Sequence, residues 1–129
     1  MEIAFRAALL AWLATDPVLA AELNAITEEA PLRASPPWLG IVASASGDFG
    51  HKSGAGREVW VALELQYLGD EPGEGADLVN AIEARVASLP PDQPAFRIAS
   101  LAFIRARAEQ RGETRRALLL EYRARLLAL

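Results

Sequence analysis

Residues 57–68 read Arg-Glu-Val-Trp-Val-Ala-Leu-Glu-Leu-Gln-Tyr-Leu, and their pattern is the strongest constraint on the fold. Its apolar residues recur at every second position, and they are Val59, Val61, Leu63, Leu65 and Tyr67. An apolar period of two, with β-branched and aromatic residues, is typical of a strand that has one buried face. An extended segment of this length reaches about 40 Å. Such a strand needs partner strands along its length and a cover on its apolar face.

The composition bounds the class of protein. A chain of 129 residues with 52% hydrophobic residues is expected to form one domain, spanning 1–129, with an ample core. No apolar run reaches the roughly 18 residues that a membrane span needs. The apolar segment Ile3–Ala14 follows an acidic residue, so we expect a helix of the mature protein and not a signal peptide. The absence of cysteine excludes disulfides and makes the cytoplasm the expected compartment.

The segments before the long strand predict two helices and two strands. Ile3–Ala14 carries a wide apolar face at helical spacing. Asp16 is a good N-cap and Pro17 suits a first helical position, so a short helix is expected over Pro17–Leu23. Ala25–Glu28 could form a brief edge strand, and Trp38–Ala43 is a second strand candidate.

Residues 44–56 are rich in glycine and serine and predict a mobile loop that leads into the long strand. Phe49 lies near the middle of this loop, where no local core is available. We expect it either to fold back on its own domain or to be buried against another protein.

The segment after the long strand predicts a helix and a hairpin. Leu78, Ile82, Val86 and Leu89 mark one face of a helix over Ala76–Leu89, which two prolines end. A three-residue loop, 110–112, would join strands over Phe96–Glu109 and Glu113–Leu127.

The expected hairpin register places the even-numbered residues of both strands on one buried face. Residue 104 then pairs with 118, 102 with 120, and 96 with 126. Arg107 would lie opposite Arg115, and Arg97 opposite Arg125, which is mildly unfavourable.

Together these elements predict an α+β fold. We expect a mostly antiparallel four-stranded sheet with a long central strand and a C-terminal hairpin, and two main helices packed on one face.

No residue pattern indicates catalysis or a cofactor. His51 is the only histidine, and Asp48 three residues before it has no further ligand nearby in sequence, so neither metal nor cofactor binding is expected. The serines lack the sequence context of a nucleophile. The protein is therefore expected not to be an enzyme.

The charge distribution favours contacts between identical copies. Residues 1–90 carry 13 acids and five bases, whereas residues 91–129 carry four acids and eight arginines. Opposite charge on two flanks favours head-to-tail association, although solvated faces are the simpler interpretation. The candidate interface residues are Asp48, Phe49, His51 and Lys52 in the loop, with Arg105, Arg107, Arg115, Arg123 and Arg125 in the hairpin.

The order of these parts resembles a known family. The first helix ends in Leu13-Ala-Thr-Asp16-Pro-Val-Leu19, and Pro36-Pro37-Trp38-Leu39 opens a strand. A polar loop with Asp, Lys and Gly and a long alternating strand follow over Asp48–Leu68, then the helix Ala76–Leu89 and a closing hairpin. This order is similar to that of the tail completion, or tail-terminator, proteins of long-tailed phages and gene transfer agents.

The resemblance implies a structural protein that forms a hexameric ring. Such a ring caps the head-proximal end of the tail tube, stops its growth and joins it to the head connector, while DNA passes through without sequence-specific binding. The implied partners are further copies of the chain, the tail tube protein and the head-tail connector or stopper protein, with no membrane. The alternative is a small α+β ligand-binding or regulatory module, which should be a dimer with a ligand cleft.

Overall fold

The computed structural model describes residues 1–52 and 54–129. The helices are α1 (Glu2–Ala14), α2 (Pro17–Glu22) and α3 (Ala76–Ala87), and a 3₁₀ turn over Pro72–Gly75 precedes α3. The strands are β1 (Ala25–Glu28), β2 (Trp38–Asp48), β3 (Gly56–Leu68), β4 (Phe96–Gln110) and β5 (Arg115–Ala128).

The strands form one sheet in the order β1-β2-β3-β5-β4, so the long strand β3 is central, as predicted. The α+β class is confirmed, but the sheet has five strands and not four, because Ala25–Glu28 pairs in parallel with β2. Backbone hydrogen bonds fix both ends of β1: Asn24 N donates to Pro37 O at 2.8 Å, and Glu29 N donates to Ile41 O at 2.8 Å. A strand of four residues is too short to show an alternating pattern in the sequence.

The helices cover one face of the sheet, which we call the covered face. Its alternating β3 residues are buried, as the sequence predicts. Helices α1 and α3 bring their apolar stripes onto it. The side chains that are fully buried between helices and sheet include Phe5, Leu9, Leu13, Ile82, Val86, Val59, Leu63, Leu65, Leu120 and Leu126.

Helices α1 and α3 are also joined by polar contacts at their ends. Trp12 Nε1 donates to Arg85 O at 2.9 Å, and Arg85 Nε donates to Trp12 O at 2.8 Å. The Arg85 guanidinium lies 3.5 Å from the centre of the Trp12 ring, close enough for a cation–π interaction. The predicted N-cap of α2 is confirmed, since Leu19 N donates to Asp16 Oδ2 at 3.0 Å.

Strand β2 is longer than predicted, and the loop after it is shorter. Residues 44–48, expected in the loop, pair with residues 57–61 of β3, which leaves residues 49–55 as the connection. The physical reason is the side-chain carboxylate of Glu2, the first residue of α1. Glu2 Oε2 accepts from Ser46 Oγ at 2.5 Å, and Glu2 Oε1 accepts from Ser44 Oγ at 3.3 Å, so these serines are strand residues with partners. Mobility of the remaining loop stays a prediction, and Ser53 lies outside the described residues.

The predicted hairpin register is wrong. Leu118 lies opposite Ala108, and Leu120 lies opposite Ala106, while Ala102 lies opposite Arg123 on the other face. Two irregularities, between Ile98 and Ser100 and between Phe103 and Arg105, shift the pairing along β4.

Local contacts explain the register that forms. The turn is longer than predicted, with Gln110 opposite Arg116 and a hydrogen bond of 2.8 Å from Arg111 N to Arg115 O. Each bulge then inserts a residue and moves the side chains that follow it to the other face. Ile104 falls at the second bulge and is 41% exposed instead of buried.

The predicted like-charge pairs do not occur in this register. Arg107 lies opposite Leu119, and Arg97 lies opposite Leu127. The repulsion expected from the sequence is therefore absent at these positions.

Among residues 1–52 and 54–129, no helix is long and apolar enough to cross a membrane.

Candidate protein interface

The face of the sheet opposite the helices, here called the open face, carries most of the predicted arginines. Even-numbered residues of β3 and odd-numbered residues of β5 point to this side, because the covered face takes the alternate positions. The prediction that the hairpin arginines at odd positions lie away from the core is correct for both strands, because Arg105 and Arg107 of β4 lie opposite odd-numbered residues of β5. Glu58 lies opposite Arg125 and Trp60 lies opposite Arg123.

Arg125 joins the loop to the sheet. Its Nε donates to Glu58 Oε2 at 2.9 Å, and its guanidinium lies 5.3 Å from the centre of the Phe49 ring. Phe49 is thus half-buried by folding back on its own chain, one of the two outcomes left open by the sequence. The hydrogen bond from Arg125, together with its positive charge, lowers the pKa of the Glu58 carboxyl.

Arg123 makes a similar contact one pair along. Its guanidinium lies 5.7 Å from the centre of the Trp60 ring, within the range of a cation–π interaction. Trp60 is nevertheless 40% exposed. An indole that is partly exposed beside a cation can be covered by another protein.

The remaining hairpin arginines are more exposed. Arg105 forms an ion pair with Glu121, and its hydrogen bond to Glu121 lowers the pKa of that carboxyl. Arg107 Nε lies 3.8 Å from Glu109 Oε1, at the outer limit of an ion pair. Among the described residues, Arg115 has no ion-pair partner.

The loop residues lie at the end of the sheet where β2 meets β3. Asp48 is the last residue of β2, and His51 exchanges backbone hydrogen bonds with Gly54 at 3.0 and 3.1 Å. Lys52 is exposed in the turn between them. The structure therefore brings Phe49 to Arg125, but it does not bring the other loop residues to Arg105, Arg107 or Arg115.

Sequence reasoning missed a polar cluster on the open face. Glu64 is only 6% exposed, and it accepts from Gln66 Nε2 at 2.8 Å and from Arg111 Nη2 at 3.2 Å. Arg111 also bonds Glu109, so the hairpin tip is tied down across the sheet. The even-position period of β3 shows that Glu64 and Gln66 share a face, but the partner comes from a distant turn that no local pattern reveals.

An apolar groove lies where α3 leaves the hairpin uncovered. It encloses about 400 Å³ and is lined by Glu83, Val86, Ala87, Leu101, Phe103 and Tyr122. Phe103 packs edge-on against Tyr122, with ring centres 5.6 Å apart, yet half of Phe103 is exposed. Burial, followed by the charge of Glu83, raises the pKa of Tyr122 to about 12.

No group of three or more potential metal ligands is found in the described part of the chain.

Comparisons with known proteins identify the family. The model of the family described as tail completion protein gp17 matches residues 7–127. Among solved structures, the fold is similar to a chain in a structure entitled "Virion of native gene transfer agent (GTA) particle", with a TM-score of 0.70 and 21% identity over 95% of this chain and 93% of that chain. No curated protein matches. The resemblance expected from the sequence is confirmed, and the chain belongs to the tail completion protein gp17 family, which consists of structural virion tail proteins and not of enzymes.

Proposed function

We propose that this protein completes the tail by capping the head-proximal end of the tail tube. In this function a hexameric ring of copies stops tube growth and presents a surface to the head-tail connector or stopper protein. The ring would assemble in the cytoplasm, remain in the phage or gene transfer agent particle at the head-tail junction, and let DNA pass without reading its sequence. The observation that carries the proposal is the family match over residues 7–127, which is nearly the whole chain.

The sheet supports association into a ring. Its two edges differ: β1 is a short parallel strand, whereas β4 is a long antiparallel one. A two-fold axis pairs a surface with the identical surface of the partner, so it cannot bring the β1 edge of one copy to the β4 edge of another. A head-to-tail arrangement can bring these two unlike edges together. A repeated head-to-tail contact closes a ring when its rotation returns the last copy to the first.

The open face offers polar surface for these contacts. Arg107 and Arg115 are exposed and weakly paired or unpaired in the described chain, so they remain available to an acidic neighbour. Glu58 and Glu64 of the long strand already pair with arginines within the chain. The acidic partners on the next copy are therefore the residues of the turn after β3, namely Asp70, Glu71 and Glu74.

The loop residues Asp48, Phe49, His51 and Lys52 form a second part of the proposed interface. They project from the end of the sheet, and all but Phe49 are exposed. This end is suited to contact the tail tube protein or the connector when the open face contacts the next copy.

Deletion of the gene tests the proposed function. We expect the deletion strain to produce tail tubes of uncontrolled length that carry no heads. Addition of purified protein to an extract of these cells should restore the joining of heads to tails. Electron microscopy measures both effects, as the length of the tails and as the fraction of tails that carry a head. Normal tails that carry heads in the deletion strain would overturn the proposal.

The assembled mass separates this function from the alternative of a ligand-binding or regulatory module. A terminator should approach six copies in sedimentation or native mass spectrometry, whereas the alternative predicts a dimer. Reversing Arg107 and Arg115 to Glu should block assembly, and a matched variant with Lys at both positions should assemble normally. Assembly of the Glu variant at wild-type concentrations would refute the role given to these arginines.

A further inference from the structure

The groove beside α3 exposes apolar side chains that nothing in the described chain covers. Its lining is mainly apolar, and half of the surface of Phe103 is exposed. Glu83 stands at its rim and has no ion-pair partner within residues 1–52 and 54–129. An apolar hollow with one unpaired carboxylate is complementary to a large apolar side chain that is followed or preceded by a cation.

A segment with this chemistry lies at the other edge of the sheet. Leu32 is fully exposed, which is unusual for so large an apolar side chain, and Arg33 beside it is exposed and without an ion-pair partner in the described chain. The segment follows β1, whereas the groove lies by β4 and β5.

The base of this segment is fixed, although its tip is exposed. Asn24 Nδ2 donates to Ser35 O at 2.8 Å and to Pro36 O at 3.3 Å. Pro31 precedes Leu32, and its ring fixes its own φ angle at the start of the segment. A tip that is held in place loses less conformational entropy when it docks than a free loop would lose.

We propose that the groove receives Leu32 and Arg33 of a neighbouring copy. Leu32 enters between Val86, Leu101 and Phe103, and Arg33 pairs with Glu83. Groove and segment lie at opposite edges of one sheet, so the segment cannot fill the groove of its own copy, and each copy can donate to one neighbour and accept from the other. The inference rests on the proposed ring and specifies the contact that would close it.

A charge exchange tests the polar half of the contact. Arg33→Glu and Glu83→Arg should each raise the concentration at which the protein assembles by about tenfold or more, because each places like charges together. The variant that carries both changes restores opposite charges at every contact and should assemble close to the wild type. Sedimentation over a range of concentrations measures this, and circular dichroism checks the fold. Failure of the double variant to recover would overturn the pairing.

A substitution at Leu32 tests the apolar half. Because Leu32 is fully exposed in the isolated chain, Leu32→Ser should leave the unfolding of the monomer unchanged. It should weaken assembly by about tenfold or more, the cost of losing a buried leucine. Assembly of this variant at wild-type concentrations would overturn the proposal.

The absence of cysteine permits a direct test of proximity. The variant with Leu32→Cys and Phe103→Cys should form disulfide-linked chains longer than dimers on mild oxidation, because a disulfide forms only when the two Cα atoms approach within about 7 Å. The matched control pairs Leu32→Cys with Val18→Cys, because Val18 is 56% exposed, against 50% for Phe103, but lies on α2. Ladders of equal intensity in both variants would count against the contact.

The outcomes separate the inference from the function. If the wild type neither assembles alone nor binds tail tubes, the proposed ring fails. If the wild type assembles and every variant above assembles in the same way, the ring stands and the contact assigned here is wrong.

Discussion

The two faces of the sheet are built on different physical principles. The covered face carries apolar side chains with no exposed surface, such as Leu63 and Leu120, and Phe5 of α1 is fully buried in the same core. The open face consists largely of arginines beside carboxylates and aromatic rings, and Trp60 there remains 40% exposed. Burial of a large apolar side chain stabilises the fold by about 1.5–3 kcal/mol, while an exposed ion pair contributes about 0–1 kcal/mol. The first face is therefore expected to determine folding, and the second is left to determine contacts.

The largest effect is expected from a substitution in the core between α1 and the covered face. Phe5 is fully buried and packs edge-on against Phe96, with ring centres 6.4 Å apart. Phe5→Ala should lower the free energy of unfolding by about 3–5 kcal/mol, since it removes the ring and leaves a cavity. Denaturant unfolding followed by circular dichroism gives the value.

The matched control on the other face is Trp60→Ala. It removes a larger ring, but one that is 40% exposed, so the loss of unfolding free energy should be less than half of that for Phe5→Ala. Equal losses would mean that the open face contributes to the core as much as the covered one.

Glu64 is expected to be an exception to this difference between the two faces. This carboxylate lies on the open face but is almost completely buried, and Arg111 and Gln66 supply its hydrogen bonds. Arg111→Ala leaves a buried acceptor with one partner fewer and should cost about 1–3 kcal/mol of unfolding free energy.

Arg105→Ala is the control for this prediction, because it removes an ion pair of similar chemistry in which the arginine is 62% exposed. Its cost should be about 0–1 kcal/mol. If the two alanine variants unfold at the same denaturant concentration, the cluster around Glu64 is no more than a surface pair.

The sequence predicts the covered face better than the open one, for a physical reason. Alternation in β3 and the Asp16 cap of α2 follow from rules that act within one segment, and both are confirmed. The hairpin register depends on two bulges in β4, which the apolar period of the strands does not reveal. The contact of Arg111 with Glu64 joins residues 47 positions apart, so no local pattern predicts it. Likewise, the serines of residues 44–48 suggested a loop because their partner, Glu2, lies more than forty residues away.

The candidate interface shows the same division. The side of the sheet on which Arg123 and Arg125 lie follows from their odd positions in β5, which the sequence displays. Their partners Trp60 and Glu58 follow from the pairing of β3 with β5, which it does not. The groove beside α3 was not predicted, because it exists only where the end of a helix meets a long hairpin.

The smallest expected effect is a dependence of stability on pH at the contact between α1 and β2. The hydrogen bond from Ser46 lowers the pKa of Glu2 below its usual value of 4.5, and desolvation of the carboxyl opposes this while Arg6 and Ser44 assist it. A carboxyl whose pKa is lower in the folded state stabilises that state above pH 4.5, and the stabilisation is lost as the pH falls through the folded pKa.

Ser46→Ala removes the donor with the largest effect on Glu2, so the pKa of Glu2 should rise towards 4.5 and the wild type should lose more stability than the variant between pH 6 and pH 3. Ser44→Ala removes a longer hydrogen bond, at 3.3 Å against 2.5 Å, and should change this acid dependence less. Glu58 and Glu121, whose pKa values are also lowered, are unchanged in both variants, so the differences report on Glu2 alone. NMR titration of Glu2 and denaturant unfolding at each pH measure the two quantities. Identical acid dependence in the wild type and the Ser46 variant would show that β2 is held to α1 by strand pairing and apolar contacts, without help from this carboxylate.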